Sequence, residues 1–320
     1  MKITFLGTGA GSPSRARNVT SIALQLPQQS RFWLFDCGEA TQHQILRSPL
    51  RLSQLERLFF SHLHGDHLFG LPGLLASRSM QNGGTTPVTL YGPQGLGDFV
   101  HATLEISQSH LAYPIKVEVV RAGKTGMLQT IYEDSAYRVE CLPVSHRVEA
   151  YGYVVIEKDQ VGHFDVAQAQ ALGVPPGPLY GRLKNGETIV LDDGRAIDGK
   201  SLIGPTIKGR RIAYCGDTIY TPNAVELARD ADLLIHEATF LHEELAQAER
   251  ARHSTAVMAA NVALRANAKA LILTHFSARY EAGQQLDELL LEAQSIFPNT
   301  LLAHDFLTYE VPRNEEVREL

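Results

Sequence analysis

Cysteine is scarce in this chain of 320 residues, which contains only Cys37, Cys141 and Cys215. The three are odd in number, far apart and flanked by apolar residues, so a disulfide framework is excluded. We expect buried, reduced thiols in a cytoplasmic protein. None of them belongs to a Cys-x-x-Cys pair, so no thiolate metal site is expected.

Long apolar runs are also missing. No stretch of about 18 consecutive apolar residues occurs, so we expect no membrane-spanning segment. The first residues, Met1–Gly7, read as a strand rather than as a signal peptide. The composition, 44% hydrophobic and 20% charged, is typical of a globular protein with one large α/β domain or two small ones.

Positive charge is in deficit as well. The chain has 29 Lys and Arg against 35 Asp and Glu, a formal charge of -6. This balance is mildly against a nucleic-acid partner, although it does not exclude a local basic patch. The glycines of Gly7–Gly11 lack the pattern of a phosphate loop or a dinucleotide fingerprint, so a tight turn is the favoured interpretation.

Histidine, in contrast, is concentrated in one short stretch. Ser61–His67 contains His62, His64, Asp66 and His67. It follows the apolar run Leu58–Phe60, which is typical of a buried strand, and precedes a helical pattern from Leu68 to Met80. A strand-to-helix turn lets these side chains converge, and imidazole with carboxylate is the ligand set of zinc or a similar metal.

The rest of the chain alternates predicted strands and helices. The predicted strands are Lys2–Leu6, Ser21–Leu26, Arg31–Phe35 (a hairpin around Pro27–Ser30), Pro87–Tyr91, Ile115–Val120, Tyr137–Leu142, Tyr151–Ile156, Arg211–Cys215, Asp232–Ile235 and Lys269–Leu273. The predicted helices are Ala40–Arg47, Leu96–Ile106 and one ending at Arg265, with Ser254 as its N-cap. His146, Asp217 and His275 each follow a predicted strand, and strands that end at one edge of a sheet can assemble a site.

Seven residues of ligand type are thus available, enough for two zinc ions that share Asp217. They are His62, His64, Asp66, His67, His146, Asp217 and His275. Two zinc ions about 3.5–4 Å apart can clamp an in-line displacement and lower the pKa of a bound water from 15.7 towards about 7. We expect Asp36 to support a ligand or cap a helix rather than to bind metal.

Two further stretches carry exposed cations, and the first of them would suit a phosphate-bearing substrate. The loop Pro13–Asn18 carries Arg15 and Arg17, which we expect on an exposed surface near the metals. The stretch Gly162–Gly186 is too rich in Gly and Pro for regular structure at its centre and is interpreted as a protruding arm that carries Lys158, His163, Arg182 and Lys184. A disordered surface loop remains the alternative.

At these residues the chain resembles a known family. The His62–His67 cluster, with His146, Asp217 and His275, resembles the metallo-β-lactamase superfamily. Several motifs narrow the resemblance to ribonuclease Z, the short-form tRNA 3′-end endonucleases: Pro13–Asn18, His236–Phe240, His253–Thr255 and His275–Tyr280. The stretch Gly162–Gly186 resembles the exosite that grips the tRNA elbow. Arg15 departs from the pattern, since the family often has lysine there.

The resemblance implies an α/β fold of the metallo-β-lactamase type, a four-layer αβ/βα sandwich with two mixed β-sheets and a protruding exosite arm. It implies one domain over residues 1–320, with the arm inserted at about residues 160–190. It also implies a homodimer in which the arm of one subunit holds the precursor tRNA that the other subunit cleaves.

The resemblance further implies two Zn²⁺ per subunit, with Mn²⁺ or Fe²⁺ as substitutes. One ion would be held by His62, His64, His146 and Asp217, and the other by Asp66, His67, Asp217 and His275. Asp66 would also orient the water and accept its proton. His253 would protonate the leaving 3′ oxygen while Glu237 keeps it cationic.

The products would be a tRNA with a 3′-hydroxyl at the discriminator base and a trailer with a 5′-phosphate. The residues implied to bind substrate are Arg15, Arg17, Asn18, Arg279, Tyr280, Gly177, Pro178, Arg182 and Lys184. Three other functions remain open: a relative that hydrolyses small molecules, a tRNA-binding module with structural metals, and a flavin-linked di-iron oxygen reductase. The last tends to have a carboxylate at the position of His64.

Overall fold

The computed structural model describes residues 1–27, 29–81, 85–121, 126–280 and 284–313. Gln28, part of the predicted Pro27–Ser30 turn, lies outside this range. The strands are β1 (Lys2–Gly7), β2 (Gly9–Ala10), β3 (Ser21–Gln25), β4 (Phe32–Phe35), β5 (Leu55–Phe59), β6 (Val88–Gly92), β7 (Ile115–Val119), β8 (Gln129–Glu133), β9 (Tyr137–Pro143), β10 (Tyr151–Glu157), β11 (Thr188–Val190), β12 (Ala196–Asp198), β13 (Arg211–Tyr214), β14 (Leu233–Glu237), β15 (Leu271–Thr274), β16 (Phe276–Ser277), β17 (Thr300–Leu302) and β18 (Thr308–Glu310).

The helices cover both halves of the sequence. They are α1 (Thr41–Leu46), α2 (Gly65–Leu68), α3 (Leu71–Met80), α4 (Leu96–Ile106), α5 (Val166–Ala171), α6 (Pro178–Lys184), α7 (Pro222–Leu227), α8 (Leu245–Ala251), α9 (Ala256–Arg265) and α10 (Gln284–Gln294). Within the described residues, no helix is both long and apolar enough to cross a membrane. Cys37, Cys141 and Cys215 are free and buried, as expected.

The first of two compact units comprises Met1–Ile156 and Arg210–Pro312. It contains two seven-stranded sheets with the orders β18-β1-β3-β4-β5-β6-β7 and β17-β15-β14-β13-β10-β9-β8. Both are mixed: β3 and β4 pair antiparallel, β4 and β5 parallel, while β10 and β13 pair antiparallel and β13 and β14 parallel. This confirms the expected metallo-β-lactamase fold.

Aromatic side chains fill the space between the two sheets. Phe35 on β4 lies 5.5 Å from Tyr214 on β13, and Phe59 on β5 lies 5.6 Å from Tyr153 on β10, measured between ring centres. All four rings are almost completely buried. Aromatic pairs at this separation add to the free energy of apolar burial, so the inner faces of the two sheets are fixed against each other.

Helices cover the outer faces. Leu71, Leu74 and Leu75 of α3 pack with Leu34 and Leu58 on the far side of the first sheet. The far side of the second sheet is covered by the alanine-rich face of α9, whose small side chains allow the helix to approach the strands closely. Since the helices cover the outer faces, they leave the ends of the strands uncovered, and polar side chains that follow the strands can form a site there.

Every predicted strand is present with small shifts of its ends, and the strands that were not predicted are β2, β8, β11, β12, β16, β17 and β18. The predicted cap of α9 is wrong. Thr255, not Ser254, is the N-cap, and its hydroxyl accepts a hydrogen bond from Met258 N. The Ser254 hydroxyl instead donates to the Thr218 carbonyl at 2.6 Å. A long-range partner of the Ser254 hydroxyl therefore outweighed the stronger intrinsic preference of serine for the N-cap position.

The second unit comprises Glu157–Gly209 with Arg313 among the described residues. The expectation that its centre lacks regular structure is wrong, because it contains α5, α6 and the hairpin of β11 and β12. Gly173 and Gly177, at φ +84° and +147°, supply the turn between the two helices, and Pro178 begins α6. A small core is formed by Ala169, Val174, Leu183, Ile189, Ile197 and Leu202.

Candidate metal centre and catalytic pair

The predicted ligands meet at one edge of the first unit, and four of the seven lie just beyond a strand. His62 follows β5, His146 follows β9, Asp217 follows β13 and His275 follows β15. Gly216 brings two of these segments together, since a Cβ there would lie 2.6 Å from the Cβ of Ser61. Only glycine allows this close approach at φ +61°.

Three histidines form the first group of ligand atoms. His64 Nδ1 lies 2.9 Å from His62 Nε2 and 3.2 Å from His146 Nε2. Metal bonds of about 2.0–2.2 Å place the ligands of a tetrahedral ion about 3.3–3.6 Å apart. The spacing of the three nitrogens is close to that of a metal site.

Asp66, His67 and His275 form the second group. His275 Nε2 lies 3.2 Å from His67 Nε2 and 3.4 Å from Asp66 Oδ2. Asp217 Oδ2 is 3.4 Å from both of these ring nitrogens and 3.7 Å from His62 Nε2. Asp217 thus stands between the groups, where the sequence predicted a bridging ligand.

Asp36 and Ser61 orient two of the imidazoles. His67 Nδ1 donates to Asp36 Oδ2 at 2.8 Å. Ser61 Oγ donates to the same oxygen at 2.7 Å, so it accepts from His62 Nδ1 at 3.0 Å. In both rings Nδ1 carries a proton, so Nε2 is the nitrogen that is directed into the cluster.

Two further rings that direct Nε2 into the cluster are oriented in the same way. His146 Nδ1 donates to the carbonyl of Arg252 at 3.0 Å. Thr239 Oγ1 donates to Glu237 Oε2 at 2.6 Å and accepts from His275 Nδ1 at 3.0 Å. Such outer partners are typical of histidines that bind metal.

The electrostatics of the cluster favour a cation. Burial lowers the pKa of His62, helped by the charge of His67, so His62 is neutral as a ligand must be. Burial opposes ionisation of Asp217, but His275 and His67 hold its pKa well below the usual value. His67 is the opposite case, since the carboxylates of Asp217 and Asp36 overcome burial and raise its pKa.

A buried oxygen supplies a further test of the fit. Asp217 is 2% exposed, and among the described residues its Oδ1 accepts no hydrogen bond. A buried carboxylate oxygen without a partner costs free energy unless a cation binds it. The donor set, the spacing and this oxygen therefore fit one or two metal ions, without indicating which metal.

Beside the cluster lies a buried ion pair of His253 and Glu237. His253 Nδ1 donates to Glu237 Oε1 at 2.8 Å. Burial opposes the charge on His253, but Glu237 raises its pKa to about 9. Glu237 also accepts from Thr218 N at 2.8 Å and Ser254 N at 3.0 Å, so its carboxylate is fixed. His253 is therefore in its cationic form, with both ring nitrogens protonated, at neutral pH.

A cleft of about 700 Å³ opens onto both features. Its walls include Asp66, Asp217 and His253, and also Phe69 and Arg147, which were not among the predicted site residues. The position of Arg147 directly after His146 was the available signal. No pattern in the sequence places Phe69 at the cleft.

The loop predicted to bind substrate is tied to the site. Gly11 N donates to Asp66 Oδ2 at 2.7 Å, and Asn18 Nδ2 donates to the Glu39 carbonyl at 2.8 Å. Arg15 is exposed as expected. Arg17 is not, because its guanidinium donates to Thr8 Oγ1 and the Ala303 carbonyl, at 2.7 and 2.9 Å. Acceptors beneath the loop turn Arg17 inward.

Arg279 and Tyr280 lie in different surroundings. Arg279 is exposed and pairs with Glu244 at 3.1 Å. Tyr280 is 3% exposed, and its hydroxyl bonds to Glu244 and accepts from Leu241 N. The Tyr280 ring is therefore part of the core and presents little surface to a substrate.

The remaining predicted contacts belong to the second unit. Gly177, Pro178, Arg182 and Lys184 are all exposed around α6. Arg182 pairs with Glu187 at 2.8 Å, and Lys184 Nζ lies 5.7 Å from the centre of the Phe164 ring. These cations share one short helix.

Family models and individual proteins of known family match this chain. The model of the β-lactamase superfamily domain matches residues 187–276, and that of the anti-Pycsar protein Apyc1 matches residues 1–151. Ribonuclease Z of Trichodesmium erythraeum is 56% identical over 322 residues, covering 100% of this chain and 98% of its own. Ribonuclease Z of Nostoc sp. is 55% identical, with 99% and 97% covered.

A solved structure agrees with these relatives. Human tRNase Z, short form, superposes with a TM-score of 0.72 at 30% identity, covering 98% of this chain and 100% of its own.

Removal of a ligand should abolish metal binding, whereas removal of an outer partner should only weaken it. We expect His62→Ala to lose metal, and Asp36→Asn to bind metal roughly 10- to 100-fold more weakly, because the proton on His67 Nδ1 loses its carboxylate acceptor. Elemental analysis of the purified variants and titration with a chelator measure both effects.

Glu56→Gln is the matched control, since Glu56 pairs with Arg57 outside the site and its loss should leave metal affinity unchanged. Full metal content in a folded His62→Ala protein would contradict the role of His62 as a ligand.

Proposed function

The chain belongs to the ribonuclease Z family of the metallo-β-lactamase superfamily, and we propose that this enzyme removes the 3′ trailer of precursor tRNA by hydrolysis beside the discriminator base. The products would be a tRNA 3′-hydroxyl and a trailer 5′-phosphate. Two relatives that match along nearly their full length are ribonuclease Z enzymes, and the similar human structure is that of tRNase Z.

The observation that carries the proposal is the charged pair of His253 and Glu237 beside the ligand cluster. A metal site alone is shared with hydrolases of many small molecules, whereas a leaving ribose oxygen needs a proton. His253 lines the cleft, and its bond to Glu237 uses Nδ1. Nε2 is then left to donate to the 3′ oxygen.

We propose that the cluster holds two Zn²⁺, for which Mn²⁺ or Fe²⁺ could substitute. His62, His64, His146 and Asp217 would hold one ion, and Asp66, His67, Asp217 and His275 the other. When bound, such ions lower the pKa of water and neutralise charge on a phosphoryl group.

The residues of the chain supply the remaining chemistry. Although burial opposes its ionisation, the hydrogen bond from His275 and the charge of His67 keep the pKa of Asp66 low, so it is a carboxylate that can orient water and receive a proton. Gly11 N fixes its position through Oδ2. Glu237 holds His253 in the cationic form until proton transfer.

We propose that the phosphates of the substrate are bound at Arg15, Asn18 and Arg279, with Arg17 and Tyr280 shaping these segments from within. Gly177, Pro178, Arg182 and Lys184 would form an exosite on the inserted arm that holds the body of the tRNA. A homodimer in the cytoplasm completes the proposal.

An end-labelled precursor tRNA with a 3′ trailer tests the function directly. We expect a metal-dependent cut beside the discriminator base, mapped to the nucleotide, that a chelator abolishes and added Zn²⁺ restores. Good hydrolysis of a small phosphodiester without cleavage of the precursor would instead indicate a hydrolase of small molecules.

The general acid can be separated from the ligands. We expect His253→Ala to reduce the single-turnover rate by roughly 10²- to 10⁴-fold, the range of general acid catalysis, because the 3′ oxygen then leaves without a proton. Both metal ions should remain bound. Rapid-quench kinetics and elemental analysis measure the two quantities.

His242→Ala is the matched control, because this histidine bonds to Thr255 Oγ1 rather than to Glu237. A large loss of metal from His253→Ala, or an unchanged rate, would contradict the assignment of His253 as the acid.

The arm is best tested by removing the whole second unit. Ile156 on β10 and Arg211 on β13 are paired, so a two-residue Asn-Gly turn in place of residues 158–209 can join the strands. Removal of residues 167–185 alone would take Ala169, Val174 and Leu183 out of the small core. We expect kcat/KM for precursor tRNA to fall far more than that for bis(p-nitrophenyl) phosphate.

A finer variant, Arg182→Ala with Lys184→Ala, should weaken precursor binding and reduce its salt slope by about one for each phosphate that the arm no longer binds. Arg195→Ala is the control on the hairpin, where the arginine pairs with Asp193. Equal losses on the large and the small substrate would refute the exosite.

A further inference from the structure

One aromatic ring stands exposed at the mouth of the metal cleft. Phe69 directly follows α2, the helix that carries Asp66 and His67, and its side chain lines the cleft. Phe69 is 63% exposed, whereas Phe240, the other phenylalanine in the cleft wall, is 6% exposed. A single exposed apolar residue is ordinary on a protein surface. The position of this ring in the wall of the metal cleft is the feature that requires an explanation.

The ring is held in position by neighbours on two sides. A Cβ at Gly65 would lie 2.4 Å from Phe69 Cε2, so the ring packs directly on the backbone of the ligand-bearing turn. On the other side it stacks on Phe99, with ring centres 6.5 Å apart and an angle of 19° between the planes. These contacts fix the ring while leaving much of its surface open to solvent.

A fixed and exposed ring beside a phosphodiester site suits a nucleobase. Bases of single-stranded RNA stack on aromatic side chains, and every base has a π face. A base is separated from its own phosphate only by the ribose, so a scissile phosphate at the cluster brings its neighbouring bases to the walls of the cleft. Preorganisation of the ring reduces the entropy lost when a base stacks.

We propose that Phe69 is a stacking platform for one of the two bases that flank the scissile phosphate. This inference rests on the proposed function and adds a positioning residue to it. The ring orders the unpaired 3′ end so that the scissile phosphate is presented to the cluster. Because stacking tolerates any base, the platform positions the strand without selecting its sequence.

The first test is Phe69→Ala on precursor tRNA with saturating metal. We expect kcat/KM to fall by roughly 5- to 150-fold, the range found when an aromatic stacking partner is replaced by alanine. Phe69→Tyr should retain activity, because it keeps a ring of the same shape. Ile106→Ala, which removes an even more exposed apolar side chain of α4 outside the cleft wall, should leave the rate unchanged.

Abasic substrates identify the partner of the ring. A ribose without a base is placed in turn at each of the two positions that flank the cut. At one of these positions, the abasic substrate should reduce the activity of wild type about as much as Phe69→Ala reduces activity on the intact precursor. The same abasic substrate should reduce the activity of Phe69→Ala only slightly below its activity on the intact precursor. This loss of additivity is specific to a stacked pair.

The outcomes are separable. Equal rates for Phe69→Ala and wild type, or penalties that multiply at both positions, would overturn the stacking role while the proposed function stands. Absence of any cut by wild type would overturn the proposed function and this inference with it. If Phe69→Ala were to lose metal or unfold, the abasic series with wild type and Phe69→Leu would decide, since leucine fills the space without offering an aromatic face.

Discussion

One buried carboxylate connects the two sheets and sets the direction of two metal-type histidines. Asp36 accepts from His67 Nδ1 and Ser61 Oγ, at 2.8 and 2.7 Å, and from the hydroxyl of Tyr214 at 2.6 Å. Tyr214 lies on β13 of the second sheet, whereas Ser61 follows β5 of the first sheet and His67 lies on α2. A completely buried carboxylate is stable only when its oxygens are satisfied in this way. Since Ser61 in turn accepts from His62, the orientation of two ligands depends on the packing of the sheets.

Two residues of the site have a strained backbone conformation. Asp36 and His275 have φ values of +56° and +60°, a region that costs free energy for residues other than glycine. Each directly follows a strand, so the chain reverses sharply and aims the side chain across the sheet edge. Contacts on every side hold these conformations: Asp36 through its hydrogen bonds, and His275 through Thr239 Oγ1. These side chains are therefore oriented by the protein's own hydrogen bonds, without a bound ion.

Much of this arrangement could be predicted from the sequence because ligand type and strand pattern are local properties. His62–His67 and the polar residues after each strand needed no knowledge of distant contacts. Partners far apart in the chain decided the rest. The choice of Thr255 as a cap depends on Thr218, and the inward turn of Arg17 depends on the Ala303 carbonyl. The prediction for the second unit failed for a related reason. Its glycines lie between short helices, and these helices pack on a core that includes residues of the hairpin later in the chain.

The formal charge of the chain is -6, which by itself would repel an RNA substrate. The cluster of metal-type ligands offers a way to overcome this repulsion. Among the described residues of the cleft wall, Glu39, Asp66 and Asp217 are acidic, against Arg147 and the cationic His253. This balance gives a phosphodiester little attraction. Two divalent ions, bound as proposed, would add four positive charges and would be the largest local charges in the site. The cations that supply the chemistry would thus also reverse the sign of the cleft, so a basic protein surface is not required there.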